Sequence, residues 1–112
     1  MHMIEAVINN DKLDAVKAAL AQMNVLGLTV LDARGYGRQL GHKETYRGAT
    51  VETSFNAKSF IKVCVTADVS DAVVAKIAET ARSGNVGDGK IFVYPVAKVV
   101  RIRTGETDTD AL

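Results

Sequence analysis

Residues 68–77 read DVSDAVVAKI, and residues 11–20 read DKLDAVKAAL. The two stretches are offset by 68 − 11 = 57 residues, and at this offset they share an Asp, a second Asp, an Ala and a Val. Ile4 and Ile8 fall on Ile61 and Val65 at the same offset, so the apolar residues that precede each stretch also agree in phase. A short internal repeat of this kind predicts two copies of one strand–helix–strand unit.

Each copy contains one amphipathic helix between two strands. In residues 11–23, Leu13, Val16, Leu20 and Met23 recur at steps of three and four residues, which predicts one apolar helix face. Asn10 or Asp11 is expected to cap this helix. Strands are expected in residues 3–9 and 25–37 of the first copy and in 59–67 and 90–96 of the second, with the second helix in 68–81.

Two such units in tandem predict an α+β fold, the ferredoxin-like double βαβ sandwich, as one domain over residues 1–112. Both helices are expected on one face of an antiparallel sheet. In KIFVYPV, residues 90–96, both faces of the strand are apolar, which predicts burial on both sides. Because the two helices cover only one face of the sheet, a homo-oligomer is expected. Cys64, which lies between two valines, is expected to be a small core residue.

The composition favours a small globular protein. The 112 residues are 47% hydrophobic and 24% charged, with a net charge of +1 and a single Cys. This balance lacks the basic excess of a nucleic-acid binder, and one Cys allows neither an internal disulfide nor a cysteine-cluster metal site. Without an apolar run long enough to span a bilayer, and without a signal peptide, a cytoplasmic location is expected.

Two segments lack a clear pattern. Residues 35–58 combine mixed charge with no sustained period, so a long loop of functional importance is expected there. The loop histidine, His42, has no adjacent nucleophile or carboxylate arrangement and is more typical of a solvated side chain. The polar residues 105–112 are expected to fray.

SGNVGDGK, residues 83–90, resembles a phosphate-binding P-loop in its glycine and lysine spacing. A true P-loop has Ser or Thr after the lysine and opens a helix, whereas here Ile91 follows and a strand is expected. Two interpretations remain: a turn at Asp88-Gly89, or a nest of backbone N–H groups that binds an anion.

Arg101 and Arg103 lie two residues apart in VVRIRTG, residues 99–105. In an extended chain both side chains would point to one side, and together with Lys90 they could bind a polyphosphate. A solvated, positively charged strand edge is the alternative.

These motifs together resemble the PII signal-transduction proteins over nearly the whole chain. SGNVGDGKIFV is similar to the C-terminal signature of that family, GYGRQLGHKETYRGA to the start of its long T-loop (about residues 37–55), and VVRIRTGE to its ending. The resemblance implies a non-enzymatic, cytoplasmic homotrimer with ATP or ADP bound in the clefts between subunits. It places the nucleotide against Val7, Thr29, Gly35, Gly37, Arg38, Lys62, Cys64, Gly87, Asp88, Gly89 and Lys90, with Arg101 and Arg103 supplied by the adjacent subunit.

The resemblance also implies binding of 2-oxoglutarate beside Mg²⁺ and ATP. Gln39 would hold the metal and Lys58 would pair with a carboxylate of the ligand. Backbone groups would complete that site at Gly37, Leu40, Gly41 and Gly87. Ligand state would then set the conformation of the T-loop, where Tyr46, Arg47 and Gly48 would contact a target of nitrogen metabolism. An ammonium transporter is one such target, and it would bring the protein to the membrane.

The chain departs from the family pattern at several positions. Val51 stands where many members carry a uridylylated Tyr, and Ala49 replaces a serine that other members phosphorylate. VINNDKL, residues 7–13, replaces a Lys-Pro stretch, and Lys62 occupies a position that is often acidic. These departures leave two alternatives: a divergent sensor of adenylate charge or bicarbonate, or an enzyme on the same fold that uses His42.

Overall fold

The computed structural model describes residues 1–36, 43–46, 49–52 and 55–112, with side chains in the first and last of these ranges. The helices in the described residues are α1 (Leu13–Gln22) and α2 (Ala67–Ala81), with short 3-10 helices at Asn10–Lys12 and Asp108–Ala111. The strands are β1 (His2–Asn9), β2 (Thr29–Gly35), β3 (Lys43–Tyr46), β4 (Ala49–Glu52), β5 (Asn56–Val65) and β6 (Lys90–Pro95).

Four strands form an antiparallel sheet in the order β2-β5-β1-β6, while β3 and β4 pair as a separate hairpin. The two strands of the internal repeat, β1 and β5, are neighbours at the centre, with Ile4 opposite Val63 and Ala6 opposite Ile61. Both helices pack on the same side of this sheet, so the prediction of a ferredoxin-like α+β fold is confirmed.

The core lies between the helices and one face of the sheet. Alternate residues of β1 point into it, since Ile4, Ala6 and Ile8 are buried. From the helices come Val16, Leu20, Val73 and Ile77, each almost fully buried, while Leu13 and Met23 pack at the margin. The apolar helix face expected from the spacing of residues 13–23 is therefore confirmed.

The opposite face of the sheet, called here the open face, has no helix over it in the described residues. It carries the residues that alternate with the core set: Met3, Glu5, Val7, Leu31, Phe60, Lys62, Cys64, Phe92 and Tyr94. Cys64 is half-buried on this face, so the expectation of a core cysteine is wrong; its register opposite Met3, rather than among the core-facing residues, is the reason. Partial burial raises the pKa of its thiol.

The last strand is less covered than its sequence predicts. Ile91 packs against the core, but Phe92, Val93 and Tyr94 remain 40–48% exposed in the single chain. Burial of both sides of this strand therefore stays a prediction that depends on a second subunit. No helix in the described parts of the chain has the length and apolar character needed to cross a membrane.

Two local predictions are wrong. The N-cap of α1 is Lys12, without a side-chain cap, because a 3-10 turn over Asn10–Lys12 precedes the helix. The C-terminal tail does not fray, because the backbone N–H of Asp108 bonds the carbonyl of Val99 at 2.8 Å and a 3-10 helix follows.

Candidate functional site

The glycine-rich segment of residues 82–89 links the end of α2 to the start of β6, and we call it the glycine loop. Gly84, Gly87 and Gly89 have φ of +91°, +100° and +102°, which glycine adopts without the steric cost of a Cβ. Because a strand follows Lys90, the rejection of a P-loop is confirmed. The loop joins a helix to a strand, so Asp88-Gly89 is not a two-residue hairpin turn either.

The Asp88 carboxylate organises the glycine loop from inside. It accepts hydrogen bonds from the backbone N–H groups of Ser83 and Gly84, each at 2.9 Å, and from the Ser83 hydroxyl. These bonds, with the Ser83 hydroxyl as the largest contribution, lower the pKa of Asp88. The N–H groups at the start of the loop are therefore already used, and an external anion would meet the later residues, Gly87 to Lys90.

Gly89 has a structural reason to be glycine that is independent of any ligand. A Cβ at this position would lie 1.7 Å from the Val7 carbonyl oxygen, which is far inside contact distance. The glycine loop therefore lies directly on the last residues of β1. This contact fixes the loop beside the end of the open face where β1 ends and β5 begins.

The side chain of Lys58 connects the end of β1 with the glycine loop. This side chain is buried, with 6% exposure, and its Nζ donates to Asn9 Oδ1 at 2.6 Å and to the Gly87 carbonyl at 2.6 Å. Both acceptors are neutral, and no carboxylate pairs with this ammonium among the residues whose side chains are described. Gly35 lies against the side chain of Lys58. A Cβ added to Gly35 would lie 3.3 Å from Lys58 Cγ, which is a tight contact.

A cavity of about 650 Å³ opens at this end of the open face. Seven of the residues expected to bind ligands line it: Val7, Gly35, Lys58, Gly87, Asp88, Gly89 and Lys90. Lys90 has no ion-pair partner in the described chain, so two ammonium groups face the cavity. Its lining also includes two aromatic residues, Tyr36 and Phe92.

Three expected nucleotide-contacting residues lie further along the open face and do not line this cavity. Thr29 is opposite Lys62 in the sheet, and Cys64 is two residues beyond Lys62 on the same strand. Lys62 Nζ lies 3.4 Å from Glu5 Oε1. The Tyr94 hydroxyl donates to the same carboxylate oxygen, and this hydrogen bond is the main reason that the pKa of Tyr94 is raised.

The paired arginines are not side by side on a strand, so that expectation is wrong. Residues 101–105 form a turn, closed by the Gly105 N–H bonding the Arg101 carbonyl at 2.8 Å. Arg101 pairs with Glu106 at 2.8 Å and donates to the Leu112 carbonyl at 3.2 Å, while Arg103 has no ion pair in the described chain. Neither arginine lines the cavity of its own chain.

The remaining expected site residues lie outside the described residues: Gly37, Arg38, Gln39, Leu40, Gly41, His42, Arg47 and Gly48. Tyr46 is the last residue of β3 and is described by its backbone only.

The sequence did not point to Asn9, which holds Lys58. It also did not point to five of the residues that line the cavity: Tyr36, Asn56, Asn85, Val86 and Phe92. A signal for Asn9 was available, because VINNDKL departs from the family pattern, but nothing in the sequence shows that its side chain meets Lys58.

Fold and cavity together define a class: a small ferredoxin-like α+β protein with a cationic cavity between the strand ends and a glycine loop. Comparison with known proteins is more specific. The profile of the family "Nitrogen regulatory protein P-II" matches residues 1–106. Nitrogen regulatory protein P-II of Klebsiella oxytoca is 49% identical over all 112 residues of both chains. The P-II protein of Rhizobium etli and P-II 1 of Escherichia coli K12 are each 48% identical over the same full length. The chain belongs to the nitrogen regulatory protein P-II family.

Proposed function

We propose that this protein is a PII-type signal-transduction protein that binds ATP or ADP and 2-oxoglutarate and regulates targets of nitrogen metabolism through its T-loop. It acts as a cytoplasmic regulator and not as an enzyme. The observation that carries the proposal is the buried Lys58 ammonium beside the glycine loop and Lys90, which is held by neutral acceptors only, as far as the described side chains are concerned. An unpaired cation in a cavity is a binding site for an anion.

The nucleotide phosphates would lie against the later part of the glycine loop. Backbone groups of Gly87, Asp88 and Gly89, the ammonium of Lys90 and the guanidinium of Arg38 would bind them. The base and ribose would extend along the open face past Val7, Gly35 and Gly37 toward Thr29, Lys62 and Cys64. Lys62 is a donor only, so its contact with a base or ribose would have to be made to an acceptor.

A homotrimer is part of the proposal. In a single chain the two arginines of residues 101–105 do not line the cavity, which supports their use by an adjacent subunit. The exposed apolar side chains of the open face also support an assembly, because Leu31, Phe92 and Tyr94 are 40–48% exposed in the single chain. Arg101 and Arg103 would then complete the phosphate site across the boundary between subunits.

A second ligand, 2-oxoglutarate, would bind beside the nucleotide. Lys58 would pair with one of its carboxylates, and backbone groups of Leu40, Gly41 and Gly87 would complete the contact. Mg²⁺ that arrives with ATP is bound largely by phosphate oxygens and water, so one protein ligand, Gln39, is sufficient. The donor chemistry of these residues fits a dianion next to a metal-bound polyphosphate.

The T-loop, about residues 37–55, would carry the output. Tyr46, the last residue of β3, together with Arg47 and Gly48, which lie outside the described residues, is proposed to contact the target protein. An ammonium transporter is one candidate, and binding to it would bring the protein to the membrane surface. Because Val51 stands where many family members carry the modified tyrosine, uridylylation is not expected there.

Isothermal titration calorimetry tests the proposal directly. ATP, ADP and Mg-ATP with 2-oxoglutarate are titrated into the wild type, Lys58→Gln and the control Lys76→Gln, whose lysine makes only a surface pair with Glu79 at 3.9 Å. The expected result is nucleotide binding by all three and loss of the 2-oxoglutarate effect in Lys58→Gln alone. Absence of binding for every nucleotide would contradict the proposal. A pull-down from cell extract, with ATP plus 2-oxoglutarate against ADP, identifies the partner.

A divergent sensor of adenylate charge or bicarbonate is the second candidate. The altered T-loop at Thr50 and Val51 favours it, because Val51 stands where many family members carry the modified tyrosine, and a different regulatory input would suit that change. The two candidates differ in how strongly the binding of 2-oxoglutarate should change the affinity for ATP. An ATP affinity that rises clearly with 2-oxoglutarate counts against this second candidate, since the coupling free energy is reciprocal.

A further inference from the structure

Asn9 ties three segments of the chain together. It is the last residue of β1, and in the sheet it is opposite Lys58 of β5. Its side-chain oxygen accepts from Lys58 Nζ at 2.6 Å, and the same nitrogen donates to the Gly87 carbonyl of the glycine loop at 2.6 Å. The position of the lysine ammonium thus depends on an amide at the end of a neighbouring strand.

The amide side chain of Asn9 has a specific consequence for the position and the charge of Lys58. A lysine side chain has four rotatable bonds, and here two short hydrogen bonds hold its Nζ in one place. An ammonium has three donors, so after Asn9 and Gly87 one remains for a ligand. The amide oxygen is neutral, which means that it orients the ammonium without cancelling its charge. A carboxylate at the same place would neutralise that charge, and a cation would repel it.

We propose that Asn9 is a positioning residue that holds Lys58 against the glycine loop with its charge unneutralised, and so sets the affinity of the cavity for a dicarboxylate. The part that concerns the ligand rests on the proposed function. The part that concerns the glycine loop does not, because the Asn9–Lys58–Gly87 contacts exist without a ligand.

Asn9→Asp and Asn9→Ala test the two parts, with Asn10→Ala as the matched control. Asn10 is the next residue, and its Oδ1 accepts from the Ser59 hydroxyl at 2.8 Å instead of from Lys58. Calorimetry measures 2-oxoglutarate binding in the presence of Mg-ATP. Asn9→Asp, which keeps the side-chain shape, is expected to weaken 2-oxoglutarate binding about tenfold or more. Asn10→Ala is expected to stay within about twofold of the wild type.

Hydrogen exchange of the ligand-free protein provides a separate measurement. Asn9→Ala is expected to speed amide exchange in the glycine loop, because Lys58 loses one of its two fixed contacts, while Asn10→Ala leaves the loop unchanged. Unchanged loop exchange in Asn9→Ala overturns the positioning role. Equal 2-oxoglutarate affinity in Asn9→Asp and the wild type overturns the effect on the ligand. A wild type that binds no 2-oxoglutarate contradicts the proposed function, and the exchange data then decide the role of Asn9 alone.

Discussion

Replacement of Gly89 by Ala is expected to destabilise the protein more than replacement of any other glycine whose surroundings are described. Two effects add at this position. Its φ of +102° is unfavourable for a residue with a Cβ, at a cost of about 1–3 kcal/mol. The new Cβ would also lie 1.7 Å from the Val7 carbonyl oxygen, whereas an ordinary contact begins at 3.4 Å.

The required movement is about 3.4 − 1.7 = 1.7 Å, and both groups are backbone, so no flexible side chain can absorb it. Val7 is opposite Lys90 at the end of the pairing between β1 and β6, and a shift there separates the two strands. Forced overpacking of this kind costs about 1–3 kcal/mol. The free energy of unfolding of Gly89→Ala should therefore fall by about 2–6 kcal/mol in total.

Gly84→Ala is the matched control. Its φ is +91°, but nothing lies within 4 Å of the added Cβ, so only the backbone cost applies. Urea denaturation of both variants at one fixed protein concentration gives the comparison, because an oligomer's stability depends on concentration. Equal destabilisation of the two variants would refute the reasoning. A loss of nucleotide binding in Gly89→Ala would not by itself identify a ligand contact, since the clash with β1 already disturbs the loop.

Three further predictions concern the loop, the core and the open face. Hydrogen bonds from a serine hydroxyl and two backbone N–H groups lower the pKa of Asp88, so the stability they contribute is present above about pH 4 and is lost as the pH falls through the lowered value. Asp88→Asn should remove this acid dependence of the urea midpoint; an unchanged dependence would contradict it. Leu20→Ala, at a fully buried position, should cost about 2–5 kcal/mol of unfolding free energy. Leu26→Ala, at a position that is 76% exposed, should change it by about 0.5 kcal/mol or less, and similar losses in both would argue against the core described above. Glu5→Gln should lower the raised pKa of Tyr94 toward its ordinary value of about 10, as measured by ultraviolet titration of the tyrosinate, and no shift would mean that the hydrogen bond is absent. With Glu5 intact, the stability from this bond is complete below about pH 10 and is lost as the pH rises through the raised pKa.

The fold was predictable because the apolar periodicity of each element is local information. The spacing of Leu13, Val16, Leu20 and Met23 predicted the apolar face of α1, and Val16 and Leu20 are buried as that face requires. The cap of α1 was not predictable in the same way. A 3-10 turn can replace a side-chain cap at little cost, and the residues Asn10 and Asp11 suit both arrangements.

The candidate site was predictable only in part, because its members come from distant parts of the chain. The glycine loop and Lys90 form one continuous motif, and the structure brings them to a single cavity. Arg101 and Arg103 were expected in an extended segment, but they lie in a turn that the hydrogen bond from the Gly105 N–H to the Arg101 carbonyl closes. The alternation of side chains applies only within a strand, and β6 ends at Pro95, before the two arginines.

By itself, then, the sequence determined the repeat, the two helices, the faces they bury and the family to which the chain belongs, because each of these depends on residues close together or on a long continuous motif. Only the tertiary structure decided the environment of Lys58. Asn9 is 49 residues from it and Gly87 is 29 residues from it. The antiparallel register of β1 with β5 brings Asn9 beside Lys58, and the contact of the glycine loop with the end of β1 brings Gly87 to the same ammonium. The same register places Cys64 on the open face instead of in the core. The residue type determines which hydrogen bonds and charges a side chain can offer, whereas the strand register determines which other groups it contacts.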